Sequence, residues 1–524
     1  MNLFSRLLNR KPKNNIEELK LKVVKEALMS NGFGYGNSNA SKKKKSLAGW
    51  ITKNGTVDQD ITENLPTLRE RSLDLYMSGG IAAGTIKKFK TNVIGAGLQL
   101  NAQIDYQYLN ISKEKATELE AQIEREFKLW STNAHMCDTA STLDFYDLQG
   151  LAFMSMLLSG DCFALLPSIH RADHVYDLKV QIIDASRVVD PTKATSKVDC
   201  LAGVELDKYA APIAYHIRNR TPGNILVGNS EINSETIRVE AFSGARRNVI
   251  HLFESERPEQ RRGLPILAPV LEQFKKLDRY SSAELTAAVI SALFTVFLTR
   301  ESASDSSPIG QIIPDEEQVD DSDSGPSIEL GEGIIQELDP GQKIEIANSS
   351  RPNAQFDAFT SSILKQIGVA LEIPYEVMIQ HFSSSYSASR AALLQAWIMF
   401  VNRREWMVKK FCKPIYEEWM TEAVLNGRLR LPGYFSDPAI KAAYTRADFY
   451  GSTMPQIDPG KEVAAATARV EQCFTTREQE AAQLGGGNYN EIVAKRVAEE
   501  VQMNEVRKIT NLTNLKYGNA KNAN

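Results

Sequence analysis

The segment that most constrains the fold is a helical pattern from about Ser389 to Leu425, the longest in the chain. At 1.5 Å per residue it makes a rod of about 55 Å. Pro414 lies inside it. A proline there removes a backbone donor and presses its ring against the preceding turn, so a kink is expected at that point. Asn426-Gly427 supply the stop, since both tolerate the left-handed backbone that ends helices. Trp397, Trp406 and Trp419 along the rod read as packing residues rather than a ligand cage.

Shorter patterns lead into this rod. Gly263-Leu264-Pro265 opens a helix over 263–293, with proline suited to its first turn. Residues 353–372 return to helix, with Phe356, Phe359, Ile363, Ile367 and Ala370 as an apolar stripe at spacings of three and four. That helix stops before Pro374. A short Ser-rich segment, Gln380, His381, Phe382, Ser383, Ser384, Ser385, Tyr386, Ser387 and Ala388, then hands over to the rod. Between the two helices the composition breaks sharply: residues 301–339 hold twelve acids and no base. Thr295–Thr299 and Ile328–Ile346 read as short strands at its edges, the latter folded around Asp339-Pro340-Gly341.

Residues 50–262 mix the two periods. The run 68–94 reads as two helices broken at Gly79-Gly80, and 112–130 as an amphipathic helix behind a Ser112 cap. Residues 144–158 form another helix, stopped near Gly160. Short strands follow at Cys162–Pro167, Lys179–Ile183, Ile213–Ile217 and Val249–Leu252. The fold class is therefore α+β and helix-rich. The tail, 461–524, is mostly helical, with Thr475 and Glu478 at capping-box spacing, a break at Gly485-Gly486-Gly487 and a frayed end. Residues 1–45 carry eleven Lys/Arg and three acids, a solvated basic arm that could also touch nucleic acid or a scaffold protein.

Several function classes drop out. With 524 residues the length suits about three to four domain-sized units. The net charge of −4 excludes a uniformly basic nucleic-acid coat. Five cysteines lie far apart with no CxxC pair, which argues against a disulfide scaffold or zinc ribbon and suits a reducing cytoplasm. The uncharged run Leu285–Thr299 is fifteen residues, short of the about 20 needed to cross a bilayer. No P-loop, GxSxG elbow or HExxH helix is present. His170 and His174, four apart and with Cys162 nearby, lack a fourth ligand and read as surface histidines, so no metal or cofactor is expected. Asp315, Glu316, Glu317, Asp320, Asp321 and Asp323 lack calcium-loop spacing. Arg246-Arg247, Arg261-Arg262 and Arg403-Arg404 read as surface ion-pairing residues.

Taken in order, these stretches resemble the lambda-type family of bacteriophage portal proteins. The resemblance rests on RSLDLYMSGGIAAGTIKKFKTNVIGAGLQL at 71–100, LLSGDCFALLP at 157–167 and IDASRVVDP at 183–191. It continues through NVIHLFESERPEQRRGLPILAPVLEQFKKLDRY at 248–280, LEIPYEVMIQHFSSSYSASRAALLQAW at 371–397 and PQIDPGKEVAAATARVEQCFTTREQEAAQLGGG at 455–487. It covers roughly 65–500.

The resemblance implies a homo-oligomeric ring, usually a dodecamer, at one vertex of the phage head. Double-stranded DNA would enter and leave through it without sequence-specific contact. It also implies docking of the packaging terminase (its large subunit), then of neck and head-completion proteins, beside major capsid and scaffold proteins. The location would be the virion, with the host cytoplasm during assembly. Carried onto this chain, 1–49 is a basic arm and 50–262 the wing. Residues 263–293 and 351–373 become stem helices, and 294–350 the clip. Residues 380–388 become the tunnel loop, 389–427 the kinked spine helix, and 428–524 the wing return and crown. The acids Asp315–Asp323 are expected to bias docking of the motor or neck protein. Phe382 and Tyr386 are expected to pack on the loop's neighbours, because duplex bases are buried. Two alternatives stay open: another head–tail connector or minor capsid protein, and a phage maturation protease or nuclease.

Overall fold

The computed structural model describes residues 55–191, 199–218, 236–293, 297–298, 336–337, 355–382, 385–454, 459–485, 487 and 489–521. The chain divides into two units, Met1–Gln59 and Asp60–Asn524. In the first, Thr56 and Gln59 form a reciprocal capping box, N–H to side-chain oxygen, at 3.1 and 3.3 Å.

The second unit is helix-rich with small, mostly antiparallel sheets. Its principal elements are α1 (Leu65–Ser78), α2 (Gly80–Val93), β1 (Gln99–Ala102), α3 (Lys113–Ser131), α4 (Phe145–Ser159), β2 (Asp161–Leu165), β3 (Gln181–Ile183), β4 (Asp199–Leu201), β5 (Val204–Leu206), β6 (Pro212–Arg218), β7 (Thr236–Glu240) and β8 (Val249–Phe253). They continue with α5 (Leu271–Leu293), α6 (Phe356–Ala370), α7 (Tyr375–Ile379), α8 (Tyr386–Met407), α9 (Lys413–Leu425), β9 (Ala447–Tyr450), α10 (Pro459–Glu471), α11 (Arg477–Gly485) and α12 (Tyr489–Lys521).

Local chemistry sets many of these boundaries. Ser112 Oγ accepts from Lys115 N–H at 3.3 Å and starts α3. Asp144 Oδ1 accepts from Asp147 N–H at 2.8 Å and starts α4. Gly160 ends α4 at φ +87°, where a Cβ would lie 2.5 Å from the Gly263 carbonyl oxygen. Two backbone segments cross there, so both glycines are needed.

Strand β2 is the centre of a three-stranded sheet, β8-β2-β3, with Phe163 opposite Ile183 and His251. A four-stranded sheet, β4-β5-β6-β7, covers a second apolar cluster around Phe163, Val204 and Tyr215. Strand β1 pairs with β9, with Gln99 opposite Tyr450, and so joins the two ends of the described unit. The main core lies where α3 and α4 meet the long helix. Phe127 packs edge-to-face on Phe145, Tyr416 and Trp419 at 5.0–5.7 Å. All four are at most 1% exposed, and each such ring contributes about 2–3 kcal/mol on burial.

Several expectations need correction. The helix expected from Gly263 begins at Leu271. Pro265 and Pro269 each lack a donor, Ile266 N–H bonds Leu157 O at 2.9 Å, and Ala268–Val270 tightens into a 3₁₀ turn. The long helix starts at Tyr386, three residues early, because Ser385 caps it through Ala388 N–H at 3.4 Å. The capping box expected at Thr475 and Glu478 forms one residue on, between Thr476 and Gln479. On α6 the buried residues are Leu364, Ile367 and Gly368, while Phe359 and Ala370 are exposed. Helix α12 runs to Lys521. Arg262 is 2% exposed, not a surface residue.

At Pro414 the rod leaves α-geometry. Val408–Cys412 form a π turn directly before it, and Pro414 occupies the first turn of α9. The strands expected at the edges of the acidic stretch are two residues each, Phe297–Leu298 and Gln336–Glu337, paired in parallel. The acids Asp315, Glu316, Glu317, Asp320, Asp321 and Asp323 lie outside the described residues.

Candidate functional site

The segment between α7 and α8 is built from its two shoulders inward. On the near side α7 ends at Gln380, in the left-handed region at φ +57°. The N–H groups of Gln380 and His381 both turn back to the Glu376 carbonyl, the latter at 3.2 Å. Lys88, on α2, donates its ammonium to the Met378 carbonyl. That carbonyl belongs to the negative end of α7, where a cation is favoured. Burial pushes the Lys88 ammonium below its ordinary range.

On the far side Ser385 caps α8. One turn in, Arg390 meets Glu462 of α10 at 2.6 Å, each about one-third exposed. Such a partly exposed pair is worth about 0–1 kcal/mol. Its weight lies in position, since it joins the first turn after the loop to the C-terminal helices. On the next turns Phe400 packs on Phe89 at 6.1 Å, and Arg404 donates to the Val93 and Asn92 carbonyls at 2.9 and 2.8 Å. Helix α2 is thus held to both α7 and α8.

Between the shoulders the structure brings Gln380, His381, Phe382, Ser385 and Ser387 into one exposed run. Ser383 and Ser384 lie outside the described residues, as does the Tyr386 side chain. Phe382, expected to pack on its neighbours, is 45% exposed within the single chain. The run 380–388 contains no Asp, Glu, Lys or Arg. It offers hydroxyl, amide and imidazole groups, which exchange hydrogen bonds with water or phosphate without holding a fixed charge.

Toward the bases of these helices, α5 and α6 touch through rings. Tyr280 stacks on Phe356 at 5.5 Å and meets Phe359 edge-on at 5.0 Å. Beyond that contact α5 exposes Leu285 and Val289.

The densest charge cluster is structural. Asp161, fully buried, accepts from Arg69 Nη2 at 2.7 Å and from Arg262 Nε at 2.5 Å. Arg262 also donates to the carbonyls of Val188, Ala202 and Ala185 at 2.6–3.0 Å. His251 Nε2 stands 3.5 Å from Asp161, too far for a strong hydrogen bond, with its ring stacked on Phe163 at 4.2 Å. Desolvation works against the charge on Asp161, but Arg262, His251 and Arg69 outweigh it and hold its carboxyl well below the usual range. Burial likewise holds His251 neutral, below its ordinary value.

His170 Nδ1 sits 3.1 Å from Asp177 Oδ1 in an exposed hydrogen-bond contact, and Cys162 is buried in β2. Among the described residues no group of three His, Cys, Asp or Glu is placed to hold an ion. Among them, too, no helix is long and apolar enough to cross a membrane. Sequence reasoning missed Lys88, Arg390 and Glu462. Their partners lie 290 and 72 residues away, and no local pattern marks them.

The sequence is similar to known portal proteins. The family model described as phage portal protein, lambda family, matches residues 43–404. Portal protein B of Escherichia phage lambda is 23% identical over 489 residues, spanning 90% of this chain and 89% of its own length. The portal protein of Escherichia phage N15 is 23% identical over 474 residues, with 87% and 88% covered. Among solved structures, the neck of a native gene transfer agent particle computed with C12 symmetry covers 80% of this chain and 93% of its own, at 12% identity and a TM-score of 0.39.

Proposed function

This chain belongs to the lambda family of phage portal proteins, and from that premise we propose that copies of it close into a ring, twelve in number, through which double-stranded DNA passes. The regions 50–262, 263–293 with 351–373, 294–350 and 428–524 then serve as wing, stem, clip, and wing return with crown. The residues 380–388 form the tunnel loop. The ring sits at one capsid vertex, beside the major capsid and scaffold proteins, and assembles in the host cytoplasm. Its clip meets the terminase large subunit during packaging and the neck proteins afterwards. It performs no catalysis of its own.

The observation that carries this reading is the uncharged run 380–388, exposed at its described residues and held at both shoulders by charged side chains. A ring multiplies each lumen residue by its copy number. Neutralising only about 6–10 phosphates already changes affinity by about 10³–10⁵ over ordinary salt changes. A lysine belt at the loop would therefore grip the duplex, whereas hydroxyls exchange contacts as it slides. The fixed shoulders keep the loop in place under that traffic.

The test replaces Ser383, Ser384 and Ser385 together by lysine and measures packaging rate and packaged DNA length in heads. We expect slowed packaging, relieved as salt rises. An unchanged rate and length at low salt would remove the loop from the DNA path.

A further inference from the structure

A large groove runs beside α8. It has a volume of about 1510 Å³ and is floored by Pro265, Pro269, Val369, Ile398, Met399 and Trp406. Val369 is 81% exposed and Ile398 57%, so the floor is apolar yet open within one chain. The charged lining is unequal: Glu254, Glu256, Glu372 and Glu376 face only Lys365 and Arg403. Arg403 is already engaged by Glu254 at 3.0 Å. The rim is therefore net acidic. Glu372, at φ +58°, lies 3.8 Å from Arg403 and leaves its side chain 68% exposed on the rim.

The opposite side of the unit carries the complement. At the α1–α2 corner Met77 is 78% exposed and Ile81 40% exposed. Gly80 and Gly84 beside them have open space where a Cβ would stand, so another surface can come close to the backbone. Lys87, exposed on the same helix, adds positive charge. Two helices show that corner and groove point away from each other. On α1, Leu68 lines the groove and Met77 comes nine residues later, about two and a half turns round. On α8, Phe400 faces α2 while Ile398 and Asn402 line the groove about 160° away, and Arg403 bridges the two faces, over the Phe89 ring at 5.5 Å.

We infer that the Met77–Ile81 corner of one copy, with Lys87, seats in the acidic apolar groove at Ile398 and Glu372 of the next copy around the ring. A head-to-tail ring needs two different, mutually complementary patches on opposite sides of one chain. Apolar knob meets apolar floor, and the lysine meets the carboxylate rim. A self-complementary two-fold pair would need both patches on one face, which the helix geometry denies. This assignment rests on the ring reading above and adds the surfaces that close it.

The experiment uses the full chain with exposed Cys473 replaced by serine. Met77→Cys protein and Ile398→Cys protein are assembled separately and as a mixture, then treated with a short bismaleimide. Linked dimers are expected only in the mixture, and a ladder of linked copies when one chain carries both cysteines. In parallel, Lys87→Glu alone, and Glu256→Lys with Glu372→Lys, should each lower the ring fraction at fixed concentration by about tenfold or more. All three changes together should restore it. Urea midpoints equal to the parent's establish that each protomer is folded. Rings in electron micrographs without the cross-copy link, or charge variants that assemble normally, would overturn this surface assignment alone. No ring from the unaltered chain would overturn the ring reading beneath it.

Discussion

Replacing Asp161 by asparagine tests how the two apolar clusters are joined. Asp161 is the only acid in contact with both Arg69 and Arg262 among the described residues. Asparagine keeps the shape and removes the charge. Arg69 then retains the Ser159 carbonyl at 2.7 Å, and Arg262 its three carbonyls. Neither retains a carboxylate in hydrogen-bond contact, Arg69 keeping only the longer-range attraction of Asp184, and the two guanidiniums, 9% and 2% exposed as residues, repel one another. Breaking a buried pair from one side costs about 3–5 kcal/mol. Against a typical stability of about 5–15 kcal/mol this is a large share. The assay is urea unfolding of the purified chain, with the denaturant slope compared to show that the same surface is exposed. Arg69→Met should cost less, about 1–3 kcal/mol, because Asp161 keeps Arg262. A loss below about 1 kcal/mol for Asp161→Asn, with an unchanged slope, would refute the account of the cluster as two arginines held by one shared carboxylate.

Two further outcomes follow from the site and its supports. His251 is held neutral in the fold but takes a proton at about pH 6.5 when unfolded. The unfolded state therefore binds more protons below that pH, and stability should fall by up to about 1.4 kcal/mol per unit as pH drops from there toward its folded value. His251→Phe, which keeps the stack on Phe163, should flatten that slope, and identical slopes from pH 7.5 to 4.5 would exclude His251 as the source. Asp161 acts lower, its contribution being lost only as pH falls below its ordinary value of about 3.9 toward the depressed folded one. Deleting 304–325 should weaken binding of the terminase large subunit to the assembled ring at low salt and less at high salt, since acidic attraction is screened over about 8–10 Å. Equal binding in a salt series would take those acids out of docking.

What could be read from the sequence was local. The cap at Ser112 and the stop at Gly160 mark α3 and α4 because each of these helix ends is satisfied by residues within a few positions. Strands β1 and β9 were not legible. QLNA and ADFY carry no clear alternation, and each is a strand only because the other exists, 350 residues away. The start of α5 was misplaced because Pro265 suits a helix's first turn, yet the tertiary bond from Ile266 to Leu157 takes that backbone elsewhere. The capping box slipped by one because Thr475-Thr476 and Glu478-Gln479 offer the same spacing twice. Glu478 is drawn off to Asn101 and Tyr450. The loop was legible as a serine run, its anchors were not. Arg262 looked like a surface cation because charge in a sequence says nothing of a partner like Asp161, 101 residues distant.

The β1–β9 pairing has a bearing on synthesis. A ribosome adding about 5–20 residues per second needs roughly 20–70 s to travel from Gln99 to Tyr450. Throughout that interval the earlier strand has no mate, and Asn101 waits for the tyrosine hydroxyl it meets at 2.6 Å. A chain that stops before Ala447 keeps that edge bare. Closing the clasp thus depends on synthesis having reached the second strand.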